Sequence, residues 1–162
     1  MAHIHEKIDF CVEVFIVHKD KVLLRMHDKY KFWLSVGGHI ELDEDPIQAA
    51  YREVKEEVGL DIKIAGSADG IDEDSPANRG YKYLIPPRYL GRHSVSGTHE
   101  HIALVYFATS DSDVITDSIL DHEKGVETKW FTMEELENAN LVPNVLFYAS
   151  EALKELGDKN GK

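Results

Sequence analysis

Three glutamates, Glu53, Glu56 and Glu57, crowd into the run Arg52-Glu53-Val54-Lys55-Glu56-Glu57-Val58-Gly59-Leu60. Like charges at helical spacing repel by a few tenths of a kcal/mol per pair, and a helix C-terminus adds a similar penalty. A cation is the natural compensation. Carboxylate oxygens without interleaved Cys or His suit hard ions such as Mg²⁺ or Mn²⁺. Two such ions could be held if further oxygen ligands came from elsewhere in the fold.

The element that must carry these side chains is well signalled. Asp45 caps a helix, Pro46 suits its first position, Gln48 completes a capping box and Gly59 suits the left-handed stop. The spacing predicts a helix from Pro46 to Val58. At about 100° per residue, Ile47, Ala50, Tyr51, Val54 and Val58 share one apolar stripe, while Ala49, Glu53, Glu56 and Glu57 lie on its flank. If repulsion alone governed the flank, neutralising Glu53 or Glu57 would leave the metal-free fold intact or slightly more stable.

Upstream stand Gly38 and Glu44. Gly38, five residues, Glu44, seven residues and then Arg52 to Leu60 together resemble the signature of the Nudix hydrolases at every fixed position, with Val54 and Leu60 at its aliphatic ones. Trp33 to Glu41 is similar to the segment that leads into that signature, with Val36 where many members have proline. The resemblance implies an α/β (α+β) fold, an α/β/α sandwich with a mixed sheet between helices. It also implies metal-dependent hydrolysis of a nucleoside diphosphate linked to another moiety. Glu53, Glu56, Glu57 and the Gly38 carbonyl would be the metal ligands, and Glu44 with Arg52 the ion pair joining loop to helix. A diphosphate is polyanionic, so metal must bridge it to the carboxylates and ready water for in-line attack. Glu123 is the first candidate for the base that takes the water's proton, and Glu100 the second.

Substrate class stays open between ADP-ribose or nucleotide-sugar compounds and damaged nucleoside triphosphates. Two other classes are weighed. One is an isomerase of the isopentenyl diphosphate kind, which would need an active-site cysteine, whereas Cys11 lies on the first strand. The other is a non-catalytic nucleotide-binding domain, which would usually have lost box glutamates.

The 162 residues are expected to form one domain, 43% hydrophobic, with a long irregular excursion at about 66–98. That excursion could be a substrate lid or a dimer arm, so a homodimer stays open. No apolar run suits a membrane span or a secretory signal, and a lone Cys11 in an apolar run fits a reducing compartment. These features lead to the expectation of a cytoplasmic protein. A net charge of −12 argues against long nucleic acids and anionic lipid surfaces, but not against small nucleotides.

Alternation and turn residues predict strands at Phe10–Val17, Val22–Met26, Asp61–Ala65, His101–Thr109 and Glu127–Phe131. Tyr81–Ile85 and Arg88–His93 read as extended, and Ser94–Thr98 as a turn. Helices follow at Met133–Asn138, with a Thr132/Glu135 capping box, and at Val145–Leu156 under an Asn144 cap. Arg25, Trp33 and His101 are candidate substrate contacts. For Arg25 the alternative is a surface strand charge, and for Trp33 it is core packing. The pair His99 and His101, two apart on one side of a strand, invites a zinc reading. No third soft ligand stands at a metal-site spacing in sequence.

Overall fold

A computed structural model describes residues 7–27, 31–68, 79–120 and 124–158. Its centre is β1 (Ile8–His18), whose side chains alternate between two apolar surfaces. Val12, Val14 and Ile16 face one core, and Phe15 and Val17 the other. A strand so buried on both faces belongs in the middle of a sheet. β1 pairs in parallel with β6 (His99–Thr109), in the register that sets Asp9 opposite His101 and Phe15 opposite Phe107.

A two-residue turn at Lys19–Asp20, with Lys19 at φ 55°, returns the chain into β2 (Lys21–Met26). β2 then pairs with β3 (Trp33–Leu34) and β7 (Thr128–Phe131). β6 carries β4 (Lys63–Ile64) and β5 (Tyr89–Ser96) along its other edge. All pairings except β1 with β6 are antiparallel, which makes a mixed sheet of seven strands among the described residues.

Helix α1 (Pro46–Val58) covers one face through Ala49, Ala50, Val54 and Val58. Helices α2 (Met133–Asn138) and α3 (Pro143–Leu156) cover the other through Leu136, Val145, Ala149 and Leu153. The result is the expected α/β/α sandwich.

The local signals of α1 are all realised: Asp45 Oδ1 accepts from the Ile47 and Gln48 amides, Gln48 closes the box, and Gly59 takes φ 69°. Tyr51 departs from the expected stripe and is 42% exposed, whereas Ala49 is fully buried. The last helix starts one residue before Asn144, because Pro143 takes the first helical position with Val142 at the cap. The 81–87 segment is irregular rather than a strand, and β5 runs on to Ser96 through the expected turn. Ser94 to Ser96 carries the register shift of a bulge, which lets pairing with β6 continue there. Residues 69–78 of the expected excursion lie outside the described residues. No helix among the described residues is long and apolar enough to cross a membrane.

Candidate active site

Where β2 diverges from β1, the segment 36–40 takes over its edge. Val14 N–H donates to Val36 O (2.8 Å), Val12 N–H to Gly38 O (2.9 Å) and Ile40 N–H to Phe10 O (2.9 Å). This lays the glycine pair against the C-terminal half of α1. Gly37 sits at φ 144°, and a Cβ there would be 2.1 Å from Val12 O, so only glycine fits. A Cβ on Gly38 would lie 2.5 Å from Glu53 Oε1, so the carboxylate fills the space a side chain would take.

The three box glutamates come together with two arginines. Arg52 holds Glu44 through Nε (3.0 Å) and Nη2 (2.6 Å), Glu53 Oε1 (2.9 Å) and Glu56 Oε2 (3.0 Å) through Nη1, and the His39 carbonyl (3.0 Å) through Nη2. The forked contact with Arg52 holds the Glu44 carboxyl below its ordinary pKa, and the same contacts push the guanidinium's pKa up. The ion pair of loop and helix therefore has the geometry expected of it.

Arg25 is not a surface charge. Its Nη1 donates to Glu57 Oε1 (2.7 Å), and the two side chains are only 11% and 7% exposed. Gly37 N–H donates to the other oxygen, Glu57 Oε2 (2.9 Å). Amides of the loop after β6 meet the last carbonyls of α1, Thr116 N–H to Val58 O and Ile119 N–H to Glu56 O, each 3.0 Å. The negative end of the helix is thereby offset.

Two cavities meet at this glycine segment and share Gly37, Gly38 and His39. The smaller, about 420 Å³, is lined by Glu41, Arg52, Glu53, Glu56 and Leu120 as well. The larger, about 710 Å³, has apolar walls from Phe32, Leu34, Val142 and Val145, with Glu13, Asn144, His93 and His101 as polar groups. Burial raises the pKa of Glu13. Burial, together with His39, His93 and His99, lowers that of His101.

Trp33 lines neither cavity. It is partly buried and packs edge to face on Phe131 (5.0 Å) against the α3-side core, the packing role weighed as the alternative to a substrate contact. Cys11 is buried, its thiol pushed up to about 12 by burial and by Glu13 and Asp9. Glu100 is gripped by Arg92 through both oxygens at 2.8 Å, which lowers its pKa and makes it a weak base. Glu123 lies outside the described residues, three positions after the described stretch that ends at Leu120.

Sequence reasoning missed Glu13, Asp9 and His39. An acid inside the apolar Phe10–Val17 run was a usable signal for Glu13. Nothing short of the strand register could have found the other two.

The donor set fits a hard divalent ion: Glu53 lies where a Gly38 side chain would stand, Glu57 accepts from the Gly37 amide, Glu56 lines the same cavity as Glu53, and four carboxylates including Glu44 outnumber two guanidiniums. A mixed sheet clasped between helices, with this carboxylate cluster over a glycine turn, makes an α/β/α sandwich whose acidic site has the donor chemistry of a divalent-cation site. The NUDIX domain model matches residues 10–148, and the chain belongs to that family. It is a Nudix hydrolase, a family that uses divalent metal.

Similar proteins agree. A NUDIX-family hydrolase from Clostridium perfringens has a crystal structure with TM-score 0.79 at 43% identity, covering 91% of this chain and 97% of that one. An RNA pyrophosphohydrolase of Legionella pneumophila is 29% identical over 88% of this chain and 79% of its own length. A dihydroneopterin triphosphate diphosphatase of Haemophilus influenzae is 36% identical over 54% of each.

Proposed function

We propose that this hydrolase splits the pyrophosphate bond of a nucleoside diphosphate derivative of the ADP-ribose or nucleotide-sugar kind. Glu53, Glu56, Glu57 and the second lone pair of the Gly38 carbonyl would hold Mg²⁺ or Mn²⁺. The observation that supports this reading is the pair of cavities sharing Gly37 to His39. One is acidic and, with metal bound, suits a diphosphate, while the other is largely apolar and of a size that ligand pockets commonly have.

Bound metal would neutralise charge that develops on the phosphoryl oxygens and lower the pKa of the attacking water. Arg52 holds Glu53 and Glu56 in place, and Glu44 holds Arg52. Glu123 takes the proton of the attacking water in this reading. Its support is that the loop leading to it is tied to the end of α1 and contributes Leu120 to the charged cavity. Glu13 and Asn144 are the polar groups that would read the heterocycle.

The name of one relative, a dihydroneopterin triphosphate diphosphatase, favours a second reading, a triphosphate substrate, while another relative is named for RNA. The net charge of −12 favours a small triphosphate over RNA.

A product assay over a nucleotide panel with Mg²⁺ or Mn²⁺ separates these. AMP and ribose 5-phosphate from ADP-ribose are the expected result, and monophosphate with pyrophosphate from a triphosphate marks the second reading. No turnover of any diphosphate or triphosphate would overturn both. Glu123→Gln is expected to lower kcat while leaving Mg²⁺ affinity unchanged; an unaltered kcat would move the base to a box glutamate.

Glu13 gives a separate pH signature. Its raised pKa means that the unfolded chain ionises first as pH rises from the ordinary carboxylate range. Its favourable term is therefore present in acid and lost as pH climbs through the folded value. Glu13→Gln should raise Tm at pH 8 and change it little at pH 4. An equal Tm shift at both pH values would show that burial does not raise the pKa of this carboxyl.

A further inference from the structure

Beyond the carboxylate site, Asp9, His39, His99 and His101 bring four ligand atoms within 4.8 Å of one another. We propose that these four side chains bind a divalent transition-metal ion of the zinc class, as a second metal site with its own selectivity. His101 Nε2 lies 3.2 Å from His39 Nε2 and 3.1 Å from His99 Nε2. Asp9 Oδ2 lies 3.3 Å from His99 Nε2 and 3.8 Å from His39 Nε2. Ligands about 2.0–2.1 Å from zinc at the corners of a tetrahedron stand roughly 3.3 Å apart. These four separations match four of its six edges within about half an ångström, and the other two pairs lie within 4.8 Å, close enough for the side chains to draw together on an ion.

Hydrogen bonding accounts for the convergence poorly. An imidazole nitrogen offers one in-plane lone pair or one N–H, which serves one well-aligned partner. His101 Nε2 meets two imidazole nitrogens at hydrogen-bond distance.

The ligands also stand on a prepared frame. Asp9 and His101 are opposite one another in the β1–β6 register, and His99 and His101 share a face of β6. His39 is bracketed by the backbone bonds Val12 N–H to Gly38 O and Ile40 N–H to Phe10 O. Sites built on paired strands hold geometry better than sites on loops.

Three imidazoles and one carboxylate select zinc-class ions, whereas the all-carboxylate cluster selects Mg²⁺ or Mn²⁺. His39 follows Gly38 directly, and its carbonyl accepts from Arg52. An ion here ties the glycine segment to β1 and β6 and so steadies the wall common to both cavities.

The test uses the full chain in excess Mg²⁺, titrated with Zn²⁺ by calorimetry and with Co²⁺ by visible absorption. One Zn²⁺ per chain, tetrahedral Co²⁺ bands and a Zn²⁺-dependent rise in Tm are expected. Losing an outer-shell partner of a metal ligand already costs about 10–100-fold in affinity. His99→Ala and Asp9→Asn, which alter different strands, should therefore each weaken Zn²⁺ binding by about 100-fold or more. Glu56→Gln should keep the bound zinc. The proposal is overturned by no Zn²⁺ uptake in excess Mg²⁺, by undiminished affinity in both variants, or by loss of the zinc in Glu56→Gln. Mg²⁺-dependent hydrolysis is read separately by the product assay, so failure of the zinc site and failure of the hydrolytic reading are told apart.

Discussion

Glu56→Gln is expected to lower kcat with Mg²⁺ by about a thousandfold while shifting unfolding free energy by less than about 0.5 kcal/mol. Glu56 lines the charged cavity and is about a quarter exposed; Arg52, its partner, keeps Glu44 and Glu53 after the substitution. In the proposed site, neutralising it therefore removes one of the carboxylates that would hold the metal, without stranding a buried charge. A metal ion contributes several kcal/mol of charge stabilisation to phosphoryl transfer, and each 1.36 kcal/mol is a factor of ten in rate. Steady-state kinetics across a Mg²⁺ titration, with a urea melt alongside, measure both effects. An unchanged kcat at every Mg²⁺ concentration would remove Glu56 from the metal site.

Arg25→Ala is expected to destabilise the fold by about 3 kcal/mol, and Glu57→Gln by a comparable amount. Charge repulsion along the helix, taken alone, predicts the opposite for Glu57: intact or improved stability once the charge is gone. The difference is Arg25. It reaches from β2 to Glu57 at 2.7 Å, with both side chains nearly buried, so removing either leaves the other charge buried without that contact. Gly37 N–H shares the carboxylate, which couples the pair to the glycine turn. A double-mutant cycle in urea should return a coupling of about 2 kcal/mol, because the double variant removes both charges together. If Arg25 served only to contact phosphate, Arg25→Ala would raise KM and leave the melt unmoved, and the pairing argument would fail.

Much of this molecule follows from interactions that span four residues or fewer. Asp45, Pro46, Gln48 and Gly59 bound α1 by bonds within the helix and its caps, and Thr132 with Glu135 does the same for α2. The spacing of Glu53, Glu56 and Glu57 on one helix likewise brings them to one side whatever the rest of the chain does. The short apolar run of β1, rich in β-branched and aromatic residues, was enough to make it a strand, and Glu13 interrupts that run visibly.

Tertiary structure decided which groups meet across strands. A slip of one residue in β1 against β6 would turn Asp9 away from His101, and no local signal encodes that register. The same holds for Arg25 beside Glu57, for Trp33 in the core instead of a cavity, and for His39 joining a pair of histidines some sixty residues away. Helix spacing and caps are set by covalent proximity, so the chain alone determined the carboxylate row. Counter-charges, cavity walls and the imidazole cluster are set by sheet pairing and packing, which exist only once the strands have found one another.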